Sequence, residues 1–161
     1  MSWLPWIPRA FLSILLVAAG LVAIAESSFF YTHFTTIHYG KDKDLSDLVW
    51  RLSGHRLYNE ERTSLARNRV DEIVDRVQAL LGMYPEAFHV DIYLRPYQKP
   101  GDIASYCHET RTIDVAVDRV TDGILAHELA HAVINSYFKV PPPRKAQEIL
   151  AQYVDRQLWG G

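Results

Sequence analysis

Apolar residues at three- and four-residue spacing mark the clearest predicted element of the chain. Between residues 60 and 81 they are Val70, Ile73, Val74, Val77, Leu80 and Leu81. This spacing places them on one face of a helix, while charged residues such as Arg67 and Asp75 fall on the opposite face. Gly82 follows, and glycine commonly ends a helix. The pattern predicts a long amphipathic helix over 60–81.

Alternation of apolar and polar residues predicts strands further along the chain. The stretch FHVDIYLRP at 88–96 places three apolar residues on one side of a strand, namely Val90, Ile92 and Leu94. The stretch IASYCHETRTIDVAV is typical of a hairpin. Its first strand ends near Cys107, a polar turn follows at 108–111, and its second strand covers 112–117.

The segment 26–59 shows weaker patterns and is interpreted as a connector. It contains one short possible strand at 34–39. A short helix follows, which Ser46 or Asp47 caps and which runs to about Leu52.

Two helices are predicted in the last part of the chain. The first follows residues 118–123, and the second covers about 144–159. Three prolines at 141–143 force an extended break between them. Because the break is short, the second helix can fold back antiparallel to the first. The expected fold class is α+β, with a small antiparallel sheet packed on the first of these two helices.

The N-terminus adds a targeting segment to this picture. Residues 10–25 carry no charge, follow Arg9 and end in Ala-Ile-Ala, which is the layout of a signal peptide. Aromatic residues on both flanks equally suit an uncleaved membrane anchor over residues 3–25. Both alternatives stay open. Either one places the rest of the chain outside the cytoplasm, as an exported domain (periplasmic or extracellular) or one anchored in the membrane.

Length and charge limit the remaining possibilities. A chain of 161 residues has room for one domain with a substantial core. The formal net charge is −2 and no dense basic stretch occurs, which argues against nucleic acid as a partner. The single cysteine, Cys107, excludes a disulfide within the chain. We divide the chain into a signal peptide or anchor at 1–25, a connector at 26–59 and a domain at 60–161.

The stretch ILAHELAHAVI at 124–134 carries the candidate chemistry. His127 and His131 are four residues apart, so on a helix their imidazoles lie on one face and can bind one metal ion. Glu128 lies about 100° round the helix from His127, where its carboxylate can reach a metal-bound water. This is the H-E-x-x-H arrangement of zinc sites. The apolar residues around it favour a buried zinc site over a pair of surface histidines.

A catalytic zinc needs a third protein ligand. Upstream, the other histidines of the chain are candidates: His33, His38, His55, His89 and His108. Downstream, the candidate carboxylates are Glu148 and Asp155. Glu148 lies near the start of the last helix among apolar residues, as expected of a ligand, although a surface glutamate is the alternative interpretation.

The sequence HELAH, then sixteen residues, then EILAQY resembles the gluzincin zinc peptidases, in particular their small peptidase-MA-like branch. Members of that branch carry H-E-x-x-H followed by an E-G-x-A-x-Y helix. The resemblance covers about 88–159. It implies a zincin-like domain that binds one Zn²⁺ through His127, His131 and Glu148, with Glu128 as the general base. In this chain Ile149 replaces the glycine of the motif.

The resemblance implies a peptidase in which water activated by zinc and Glu128 attacks a bond of a peptide or protein substrate. Candidates to stabilise the oxyanion are Tyr106, His108, Tyr137 and Tyr153. Cys107 is a candidate for the fourth zinc position or for a small core residue. Two other functions stay open. One is a non-catalytic zinc domain that binds a peptide or partner, and the other is a membrane-anchored interaction module without metal.

Overall fold

The computed structural model describes residues 27–54, 61–96 and 103–159. These residues form nine elements, which are β1 (Ser28–Tyr31), β2 (Thr35–Tyr39), α1 (Asp42–Ser53), α2 (Glu61–Leu81), β3 (Val90–Arg95), β4 (Ala104–Cys107), β5 (Thr112–Ala116), α3 (Asp122–Tyr137) and α4 (Arg144–Trp159). The predicted α+β class is confirmed. Among the described helices, none combines the length and apolar character needed to cross a membrane. The predicted signal peptide or anchor at 1–25 lies outside the described residues.

The five strands form one sheet in the order β1-β2-β3-β5-β4. The expectation of an antiparallel sheet is wrong, because β2 pairs parallel with β3 and β3 pairs parallel with β5. Only the two outer pairs, β1 with β2 and β4 with β5, are antiparallel. The predicted β4–β5 hairpin is confirmed, and β4 lies at the edge of the sheet.

Strands β2 and β3 can pair in parallel because a long segment of chain joins them. Parallel neighbours need a long crossover, and α1 and α2 lie within that crossover. Strand β2 and helix α1 both fall in the segment that was predicted to be a connector, yet Ile37, Leu45 and Leu48 are buried in the common core. Strand β1 was not predicted at all.

Helix α1 begins at Asp42, so the predicted start at Ser46 or Asp47 is wrong. The carboxylate of Asp44 accepts a hydrogen bond from the backbone N–H of Lys41, 3.1 Å away. An acidic side chain that reaches back to the N-cap stabilises the first turn of a helix. The predicted end of α2 is confirmed, since Gly82 has a φ of 63°, a conformation that glycine adopts without steric cost.

The helices cover one face of the sheet. Along β3 the residues Val90, Ile92 and Leu94 are buried against them, while the alternate positions Asp91 and Tyr93 are only half-buried. This period of two is what a strand between a core and an open face requires.

An ion pair joins α2 to the first turn of α3. The guanidinium of Arg69 contacts the carboxylate of Asp122, which is almost fully buried. Burial raises the pKa of Asp122, and the charge of Arg69 opposes that rise in part. A buried carboxylate depends on such a partner, so the pair fixes the start of α3 against α2.

Candidate metal centre

Helix α3 fixes the positions of His127 and His131. Thr121 caps the helix by accepting a hydrogen bond from the N–H of Ile124 at 3.3 Å. The apolar face of the helix is fully buried, with Leu125, Leu129 and Val133 among its members. The two histidines lie beside this face, where their side chains keep 24% and 13% of their surface exposed. The helix therefore holds both imidazoles firmly at the edge of the core while leaving them accessible.

Helix α4 brings Glu148 to the two histidines. One of its carboxylate oxygens lies 3.4 Å from Nε2 of His127, and the other lies 3.6 Å from Nε2 of His131. One ligand atom from each of the three residues falls within 4.8 Å of the others, which is close enough to hold a metal ion. Helix α4 packs directly against α3, as predicted, and this packing brings Glu148 close to the two histidines.

The surroundings of Glu148 differ from the prediction. Glu148 was expected to lie among apolar residues as a buried ligand would, but two of its apolar neighbours on the helix, Ile149 and Tyr153, are exposed. Glu148 is itself about one-third exposed, and Arg144 lies 3.6 Å from it on the outer side. The helix face that packs on the core carries Ala151 and Val154 instead.

The other described candidate ligands do not join this group, although His108 lines the same cleft. Asp155 borders a small cavity of about 210 Å³ next to His127 and Glu128, and it is not part of the metal-binding group. His38 is hydrogen-bonded to Asp91, and His89 is hydrogen-bonded to Thr36. His33 packs on Phe34, and His55 lies outside the described residues. Among the described residues, the group of His127, His131 and Glu148 is the one cluster of this kind.

Gln147 and Asn135 orient the ring of His131. Oε1 of Gln147 lies 3.4 Å from Nδ1 of His131 and accepts a hydrogen bond from the amide of Asn135 at 2.8 Å. The amide nitrogen of Gln147 donates to the carbonyl of Pro142 at 2.8 Å, which fixes the direction of the side chain. With a proton on Nδ1, His131 presents the lone pair of Nε2 to a metal.

This network was not predicted, although the sequence contained a signal for it. Asn135 is four residues after His131 and so lies on the same helix face. Gln147 directly precedes the candidate ligand Glu148. Polar residues at these two positions, one turn from a ligand and next to a ligand, are typical of the outer shell of a metal site.

We expect Gln147→Leu to weaken metal binding by about 10- to 100-fold, the usual effect of removing an outer-shell partner of a histidine ligand. The change leaves Nδ1 of His131 without its acceptor and removes the anchor to Pro142. Competition with a chromophoric chelator measures the affinity. Gln152→Leu is the matched control, because Gln152 is exposed on the same helix. Equal affinities in both variants would contradict the role of Gln147.

The side chain of Glu128 reaches from α3 to the edge strand β4. Its Oε2 accepts a hydrogen bond from the backbone N–H of Tyr106 at 2.8 Å. Strand β4 is an edge strand whose one neighbour in the sheet is β5. The N–H of Tyr106 points away from β5 and holds one oxygen of Glu128. Among the described residues, the other oxygen of Glu128 has no hydrogen-bond partner.

The three candidate metal ligands and Glu128 line a cleft of about 630 Å³ between β4 and α4. Tyr106 and His108, two of the four oxyanion candidates, also line it. Burial raises the pKa of Tyr106, so its phenol is a neutral donor near pH 7. Tyr137 borders an adjoining cleft instead, and Tyr153 borders neither.

Cys107 also lines the metal cleft and is half-buried. Its thiol donates a hydrogen bond to the carboxylate of Glu109 at 3.2 Å. Among the described residues it does not join the group of His127, His131 and Glu148. The structure gives the thiol a partner on the hairpin turn.

The candidate metal centre therefore consists of three side chains from two packed helices. Both helices were expected from the sequence, and the ligand atoms meet at distances that suit a metal ion. Comparison of the chain with protein-family models, with curated proteins and with solved structures finds no match.

Proposed function

We propose that this chain is a zinc-dependent peptidase. In this proposal His127, His131 and Glu148 bind one Zn²⁺, and Glu128 is the general base. One observation carries the proposal: the three ligand atoms meet beside a carboxylate that a backbone N–H holds at the rim of the same cleft. A merely structural zinc site closes with four protein ligands, whereas this group offers three among the described residues.

The donor set fits zinc. Two imidazole nitrogens and a carboxylate oxygen are ligands that catalytic zinc commonly takes. With bonds of about 2.0–2.1 Å, a tetrahedral ion separates its ligand atoms by about 3.3 Å. Each histidine Nε2 lies close to this distance from one oxygen of Glu148, at 3.4 Å from Oε2 for His127 and at 3.6 Å from Oε1 for His131. When bound, zinc supplies a Lewis acid that lowers the pKa of a water and polarises a carbonyl.

The residues of the chain supply the rest of the reaction. The free oxygen of Glu128 accepts the proton of the attacking water and later delivers it to the leaving amine. The hydrogen bond from Tyr106 N–H stabilises the carboxylate in the position that this transfer needs. The phenol of Tyr106 and the imidazole of His108 are available to donate to the oxyanion. The edge strand β4 lines the cleft, and its outward backbone groups other than the Tyr106 N–H can pair with an extended peptide.

Metal removal tests the proposal. We expect the purified protein to carry one zinc per chain and to hydrolyse unfolded, fluorescein-labelled casein. A strong chelator should abolish hydrolysis, and added zinc should restore it. Hydrolysis that survives complete loss of zinc would contradict the proposal. Zinc-loaded protein that leaves casein intact would instead favour the non-catalytic zinc domain.

A further inference from the structure

A second cleft adjoins the metal cleft. It has a volume of about 800 Å³ and lies between the end of α3, the turn of the β4–β5 hairpin and the loop after α2. His108, Asn135 and Pro141 line both clefts, which makes them one continuous groove. A chain bound at the metal centre can therefore continue into this second cleft.

The second cleft combines aromatic walls with unpaired positive charge. Its walls carry the exposed rings of Tyr84, Tyr137 and Phe138. Its charged side chains are Arg111 and Lys139 against a single acid, Glu86. Within the described ranges, neither Arg111 nor Lys139 forms an ion pair with another side chain. The charge of the cleft is thus complementary to an acidic ligand.

The backbone at Arg111 gives independent support. Arg111 has a φ of 54° and is the one described residue other than glycine with positive φ. It ends the hairpin turn, where glycine adopts this conformation without strain. An arginine there carries a steric cost that glycine would avoid, and such outliers cluster at binding sites. Its side chain lines the second cleft.

The distance between the two clefts determines which residues of a bound peptide reach the second cleft. Tyr137 is six residues beyond His131 on α3, which corresponds to about 9 Å along the helix. An extended peptide covers that distance with about three residues. Side chains about three positions from the bond at the metal centre would therefore reach the second cleft.

We propose that the second cleft selects peptide substrates that carry acidic residues beside an aromatic residue, about three positions from the cleaved bond. This inference rests on the proposed peptidase function and names its substrate class. The aromatic residue packs on Tyr84 and the Tyr137–Phe138 pair, whose rings lie 5.2 Å apart. The acidic residues face Arg111 and Lys139.

Binding tests the inference without hydrolysis. The probes are two fluorescein-labelled decapeptides with a randomised central tetrapeptide, flanked on each side by Asp-Phe-Glu or by the isosteric Asn-Phe-Gln. Zinc-loaded Glu128→Gln protein should bind the acidic peptide about fivefold more tightly by fluorescence anisotropy, as expected for exposed charge pairs. Adding Arg111→Gly or Lys139→Gln should remove most of this preference, and Arg156→Gln, which borders neither cleft, should keep it.

Stability separates a binding role of Arg111 from a structural one. Because glycine suits a φ of 54°, Arg111→Gly should melt at the same or a higher temperature than the parent while losing the acidic preference. A lower melting temperature with an unchanged preference would overturn the inference. So would equal binding of both peptides by the parent protein.

Hydrolysis by the wild-type protein separates this inference from the proposed function. Cleavage of both decapeptides at equal rates would overturn the acidic preference and leave the peptidase intact. Selective binding of the acidic peptide without any cleavage by zinc-loaded protein would support the ligand class and contradict the peptidase. Faster cleavage of the acidic peptide, lost in Arg111→Gly, would support both.

Discussion

Glu128→Gln should lower the rate of peptide hydrolysis by about 100- to 10,000-fold, the range that general base catalysis contributes, while one zinc stays bound. Glutamine keeps the shape of the side chain and an oxygen that can accept the hydrogen bond from Tyr106 N–H. It cannot take a proton from the attacking water. The measurements are kcat/KM on labelled casein and zinc content by mass spectrometry of the purified protein.

Glu109→Gln is the matched control for this variant. Glu109 lines the same cleft and carries the same charge, but it contacts Cys107 and lies outside the metal-binding group. We expect its kcat/KM to stay within a few-fold of wild type, as for most changes of an exposed charge. If Glu128→Gln kept wild-type activity with zinc bound, the general base would have to be another residue.

Glu148→Gln should lose most of its zinc, whereas Asp155→Asn should keep one zinc per chain. Removing one of three protein ligands should weaken binding by more than about 100-fold, beyond the effect of an outer-shell change. Amide oxygen is a poor ligand for zinc beside two imidazoles, and it brings no negative charge. Zinc content after gel filtration, together with affinity from chelator competition, measures the difference.

The melting temperature gives a second measure of the same variants. Metal that binds only the folded chain stabilises it by mass action, so zinc should raise the melting temperature of wild type and of Asp155→Asn. It should leave Glu148→Gln almost unchanged. Loss of zinc from Asp155→Asn with retention in Glu148→Gln would exclude Glu148 as the third ligand, although it lies 3.4 Å from His127.

Local patterns made much of this fold predictable from the sequence. The period of α2, the alternation along β3 and the polar turn between β4 and β5 each depend on residues within one short stretch. The same holds for His127 and His131, because a helix alone brings residues four apart onto one face. Glu148 required one further step, the return of α4 across a three-proline break.

The pairing of strands that are distant in the sequence could not be predicted. Strand β2 pairs with β3 across two helices, and no local pattern records which strands become neighbours. This is why the sheet was expected to be antiparallel and why residues 26–59 were interpreted as a connector. The positions of Asn135 and Gln147 beside the candidate ligands are visible in the sequence, but the hydrogen bond between them forms only when α3 and α4 pack together.

The hydrogen bond from Tyr106 N–H to Glu128 gives the site an unusual tolerance to mutation. A main-chain donor belongs to every amino acid except proline, so no other substitution at position 106 deletes it. The position of Glu128, the proposed general base, therefore depends on the backbone of the strand and not on the identity of a neighbouring side chain. A substitution at position 106 would remove the phenol, one of the two donors proposed for the oxyanion, and would still leave the carboxylate of Glu128 held in place.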